Sequence, residues 1–179
     1  MKASLFSFAA MVITLNVVGC GPAEPGEDVG SGPELGQSKA GLQSGQSVAI
    51  RPSHSGKCLD VKDASQADWA QVQQWDCWGG ASQTFVATWH SDYDAWSFKA
   101  AHSGKCLSVA GGASATPLAQ ATCTYGNYQM FRVQGTGPFR LQSVYSGKYV
   151  DISGYSVDNG ALAHMWDPNY LMNQSFSIF

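Results

Sequence analysis

Glutamate is scarce in this chain. There are three, Glu24, Glu27 and Glu34, and none follows residue 34. Charged residues of all kinds make up 13% of the sequence, and the formal net charge is −3. Lys and Arg form no cluster, which excludes the electrostatic footprint of a nucleic-acid binder. After the first twenty residues no apolar run approaches the ~20 residues of a membrane-spanning helix. The Gly-x-Ser-x-Gly, His-Glu-x-x-His and phosphate-loop motifs are all missing, so the chemistries they support have no carrier here. Glycoside hydrolysis needs two carboxyl groups about 5–9.5 Å apart across one bond. With no Glu beyond residue 34, only Asp is left for that role. Asp92 and Asp94, in "SDYD", have no partner pattern. A non-catalytic protein is expected, with no metal and no cofactor.

The amino-terminal segment reads as targeting. Lys2 precedes a mostly apolar run from Leu5 to Val18, a length that suits a secretory leader rather than a span. The run ends in "VVGC", which resembles the bacterial lipobox, where cleavage precedes a Cys that receives lipid. The expectation is a leader over 1–19, a lipidated Cys20 and an exported protein held at the cell envelope, on the outer membrane since Gly21 rather than Asp follows. Soluble secretion is the alternative. Cys20 is also the odd one out of five cysteines, the other four being Cys58, Cys77, Cys106 and Cys123. Residues 20–45 hold seven Gly, three Pro and no aromatic residue, and read as a flexible tether. A coil of that length reaches roughly 30 Å.

The remainder, 46–179, is repetitive. "HSGKCL" occurs at 54–59 and again at 102–107, and "YSGKYV" at 145–150 is a blurred third copy. Gln83, Gln129 and Gln174 head three Gln-x-Phe triplets spaced 46 and 45 residues apart. That period marks a repeat architecture in which no copy buries its apolar face alone. The copies run over about 46–92, 93–137 and 138–179. Segments such as "SVAIR", "CLDVK", "WSFKA", "MFRVQ" and "YVDIS" alternate apolar with small or polar residues, the period of strands. About four strands per copy, hence about twelve, are expected, with the Phe of each triplet turned to a shared axis.

The Gln-x-Phe triplets, the "GKCLDV" turn and the "VQQWDC" segment together resemble the ricin-type lectins, also called carbohydrate-binding module family 13. The resemblance implies an all-β fold, a β-trefoil of three repeats with pseudo-threefold symmetry. It implies disulfides Cys58–Cys77 and Cys106–Cys123, each inside one copy. The third copy has Tyr149 and Pro168 at those positions. The family's ligands are glycans of galactose, N-acetylgalactosamine or xylan type.

A pyranose ring needs an aromatic plate for its C–H face, an ionised carboxylate to accept from hydroxyls, and an amide that donates and accepts. By resemblance, the first copy supplies Asp60, Gln73, Trp75, Ser82 and Gln83, with Ser82 where the family has Asn. The third supplies Asp151, His164, Trp166, Asn173 and Gln174, with His164 replacing the Gln. Asp to Trp is fifteen residues and Trp to Gln eight in both copies. The second copy has Ser108, Ala119 and Ala121 instead and is expected to be silent. The three Gln are expected to be partly structural, His54 and His102 to pack the turn, and Trp78 to widen the first site. A trefoil that binds a protein partner, as an adhesin or inhibitor, is the alternative function.

Overall fold

The computed structural model describes residues 41–179. The leader, Cys20 and most of the segment read as a tether lie outside them. Thirteen strands are found among the described residues: β1 Ser47–Val48, β2 Ile50–Pro52, β3 Cys58–Val61, β4 Ala70–Trp75, β5 Phe85–His90, β6 Ala95–Ala100, β7 Cys106–Val109, β8 Leu118–Ala121, β9 Phe131–Gln134, β10 Arg140–Ser143, β11 Tyr149–Ile152, β12 Ala163–Trp166 and β13 Phe176–Ile178. The thirteenth arises because the segment "SVAIR" is not one strand. It breaks at Ala49, whose N–H and carbonyl both bond to Phe179. β1 therefore faces β5, and β2 faces β13.

This break closes a ring. β5 pairs with β6, β6 with β9 and β9 with β10. Phe139 bridges to Phe176 and so joins the β10 side to β13. The result is a six-membered barrel with no free edge. The other strands form three hairpins, β3–β4, β7–β8 and β11–β12. They touch one another in turn through β4–β8, Pro117–His164 and Gln73–Leu162. The chain is a β-trefoil. Phe85, Phe131 and Phe176 of the triplets are all buried in one core with Ile50, Phe98 and Leu141. Leu42 joins the same core, so packing begins before residue 46, within the segment read as tether. β8 carries no clear alternation in sequence, because it is buried on both faces and built from Leu118, two Ala and Gln120.

The recurring Ser-Gly-Lys has one task per residue. Gly56, Gly104 and Gly147 sit at φ 67°, 68° and 69°, where a side chain is strained, and each closes a tight turn. The serine hydroxyl accepts from the following lysine N–H in all three copies. The lysine then reaches a seam between neighbouring lobes. Lys57 pairs with Asp76 at 2.6 Å, Lys105 with Asp68 at 2.7 Å and Lys148 with Asp167 at 2.6 Å. Each carboxylate also meets a neutral group across the seam: Asn159, Thr122 and Ser114 respectively. The lysine hydrogen bond is the main cause that holds all three aspartates below the ordinary carboxylate range. His54 and His102 do more than pack the turn, since their Nε2 atoms reach the carbonyls of Ser156 and Ser65 in the adjoining lobe. Gln74 and Gln120 donate to those same carbonyls.

The disulfides are Cys58–Cys77 and Cys106–Cys123. Each closes a loop inside one copy, and by chain entropy a loop of that size contributes about 3 kcal/mol. In the third copy the Tyr149 hydroxyl instead donates to Gln134 at 3.0 Å.

Candidate functional site

The first and third hairpins each place a polar and an aromatic side chain on the same face. In the first lobe Asp60 of β3 lies directly across from Gln73 of β4, and Trp75 follows two residues on. Strand alternation puts Gln73 and Trp75 on one side. Together with Ser82 and Trp78 they line a cavity of about 270 Å³, whose lining also includes Asp63 and Ala64. Trp75 is 42% exposed, unusual for an indole with a core to join, whereas Asp60 is 5% exposed. Ser82 Oγ and Trp78 Nε1 both donate to Asp60 Oδ2, at 3.3 and 3.4 Å. Asp60 Oδ1 and the Gln73 amide have no hydrogen-bond partner among the described residues. Trp78 does widen this site, and Gly80 lets it do so: a Cβ on Gly80 would lie 1.9 Å from the indole ring.

The third lobe repeats the frame with different contacts. Asp151 of β11 lies across from His164 of β12, with Trp166 two residues on and 40% exposed. The cavity is larger, about 430 Å³, and is lined also by Asn173, Asn169, Gly154, Tyr155 and Ala115. Here both carboxylate oxygens are taken. His164 Nε2 (3.1 Å) and Asn173 Nδ2 (2.9 Å) meet Oδ1. Asn169 Nδ2 (3.1 Å) and Gln174 Nε2 (2.9 Å) donate to Oδ2. An ionised carboxylate only accepts, so His164 presents an N–H at Nε2. Its ring lies nearly parallel to that of Trp166, at 16°, with centroids 5.3 Å apart.

Gln83 and Gln174 are read from the sequence as ligand contacts that are also partly structural, and the geometry shows the structural part. They are buried and line neither cavity. Gln83 Oε1 accepts from the Trp78 N–H while its Nε2 donates to the Asp76 carbonyl. Gln174 does the same with Asn169 and Asp167, and Gln129 with Thr124 and Thr122. Each holds the loop that follows its hairpin. Gln129 does so in the second lobe, where Ser108 is spent on the Cys106 carbonyl and Gln129, and Ala119 and Ala121 are buried. That lobe offers neither carboxylate nor plate.

Sequence reasoning overlooked Asn169. Its signal was available, because it follows Trp166 by three residues as Trp78 follows Trp75. Both donate to the lobe's carboxylate, one through an amide and the other through an indole N–H. Ala115 carried no such signal, because it belongs to the second copy and reaches the third lobe's cavity only through the fold.

Comparison with known proteins agrees with this fold. The family described as ricin-type beta-trefoil lectin domain-like matches residues 37–92 and 81–166. A designed threefold-symmetric protein, ThreeFoil, is similar with 29% identity and a TM-score of 0.71, over 74% of this chain and 96% of that one. An exo-β-1,3-galactanase from Clostridium thermocellum is 25% identical with a TM-score of 0.70, over 74% of this chain but 29% of the enzyme. The Macrolepiota procera ricin B-like lectin, solved with lactose, shares the fold at 20% identity and a TM-score of 0.67, over 76% of this chain and 96% of the lectin. With most of its length matched and the trefoil frame present in all three copies, the chain belongs to the ricin-type β-trefoil lectin domain-like family.

Proposed function

We propose that this protein is a non-catalytic carbohydrate-binding protein with sugar sites in its first and third lobes. The observation that carries the reading is the pairing, twice at the same backbone positions, of a buried aspartate with an indole left some 40% exposed over a cavity. The plate takes the C–H face of a pyranose, and the carboxylate and amide take its hydroxyls. Galactose-type sugars are the first ligands to try, since the Macrolepiota lectin was solved with lactose. Both sites are shallow, so intrinsic affinity is expected on the order of millimolar to tens of micromolar. Two sites on one rigid body raise retention on a polymer well above either alone. On a glycan array, saturable binding that free lactose or N-acetylgalactosamine competes away is expected. Silence across the array, with capture of a protein ligand by the same surface, would favour the protein-interaction alternative.

Catalysis has no support in the described residues. Asp60 and Asp151 belong to different lobes, and each faces its own cavity. The galactanase matches over 29% of its length, and its activity is stated of that enzyme alone.

The site is read as displayed from a bacterial envelope through lipid on Cys20, on the "VVGC" motif. Changing Cys20 to Ser should move the protein from the membrane fraction to the soluble one. Unchanged fractionation would remove the anchor from this reading.

A further inference from the structure

We propose that His164 governs the third lobe by closing it: in the free protein its imidazole takes the place of a ligand hydroxyl on Asp151. This rests on the sugar-binding reading above and adds an asymmetry to it.

The two lobes are each other's control. Asp60 faces Gln73 and Asp151 faces His164 at the same register of the same hairpin. The backbone is therefore not the difference; the side chains are. Gln73 makes no bond to Asp60, whose Oδ1 has no partner among the described residues. His164 bonds Asp151 Oδ1 at 3.1 Å. With Asn173, Asn169 and Gln174 it fills the four acceptor positions of that carboxylate. A hydroxyl arriving at Asp60 gains a charge-assisted hydrogen bond by displacing water. One arriving at Asp151 must first break a protein bond, so most of its gain is cancelled. The imidazole is also braced, for its ring lies alongside Trp166 at 16°. The copy with the more complete ligand set is thus the more closed one. The first lobe, where Ser82 stands in place of Asn, is open because Ser82 donates to Oδ2 alone.

The first lobe should accordingly be the primary site. The third should admit only ligands that displace His164, or bind weakly. Gln at 164 would copy the first lobe and open it.

The test is titration of the full chain with lactose, N-acetylgalactosamine and xylotriose, followed by amide NMR shifts in β4 and β12. Four proteins are compared: wild type, Trp75→Ala, and Trp75→Ala combined with His164→Gln or with His164→Ala. His164 lines a cavity rather than the core, and the Ala variant guards against a misplaced Gln. Wild type should saturate β4 at a concentration at least about tenfold below β12. Trp75→Ala should keep only the weak β12 response. Either substitution at 164 should tighten that response about tenfold. If β12 responds as tightly as β4 in wild type, or neither 164 variant gains, the closure is refuted while sugar binding by the first lobe stands. If no sugar shifts either strand in any protein, the sugar-site reading falls, and the closure with it.

Discussion

The Trp75→Ala, Trp166→Ala double variant should fold normally and lose its retention on a galactosylated polymer. Both indoles lie on hairpin ends and stay some 40% exposed, so truncation removes little buried surface and leaves no internal cavity. What it removes is the aromatic plate paired with the aspartate in each cavity; Trp78 and Tyr155, which also line the cavities, stand outside the hairpin strands. The carboxylates alone compete poorly with water for hydroxyls, since a net hydrogen bond contributes about 1 kcal/mol. Each lobe should therefore fall below detectable monosaccharide affinity. Retention on the polymer should drop by at least about 100-fold, because avidity of that order disappears with the second site. Retention unchanged, with circular dichroism like wild type, would end the assignment of these two cavities.

Phe131→Ala should be the most damaging single change to the fold. Phe131 is 1% exposed and lies opposite Trp96 in the barrel, its ring 6.3 Å from that of Phe98. With its counterparts Phe85 and Phe176 it fills the core that all three copies share. A Phe→Ala truncation in such a place costs about 3–5 kcal/mol, against about 5–15 kcal/mol for a whole domain. The two disulfides lie in the first and second copies near the hairpins and cannot fill the void. Urea unfolding should show the midpoint fall steeply. A loss under about 1 kcal/mol would mean that the barrel collapses around the gap, and that the shared core is softer than its burial implies.

Much of this was legible in the sequence because symmetry writes the same physical requirement three times. The Gln-x-Phe triplets and the Ser-Gly-Lys turns gave the register of the three copies, and the family resemblance they support implied the disulfides that are found. What the sequence hid lay in side-chain contacts, several of them inside a single copy. β8 escaped because a strand buried on both faces has no reason to alternate. That Gln83 and Gln174 line neither cavity was hidden too, since sequence spacing does not say which way a side chain turns. The occupied state of Asp151 was also hidden. It depends on Asn169 and His164 arriving together from two different segments.

The lysine seams carry a lesson about history. Two of them draw their carboxylate from the residue after the plate position, Asp76 and Asp167. The remaining one has Thr122 there and takes Asp68 from the opposing lobe. The charge has a different owner there, yet its sum is the same: one carboxylate, one neutral partner, one ammonium. A single substitution cannot convert one arrangement to the other without passing through a seam with two carboxylates or none. Such a seam evolves as a pair of positions in different copies, each constraining what the other can become. Three copies bound in this way drift as an ensemble rather than as independent duplicates.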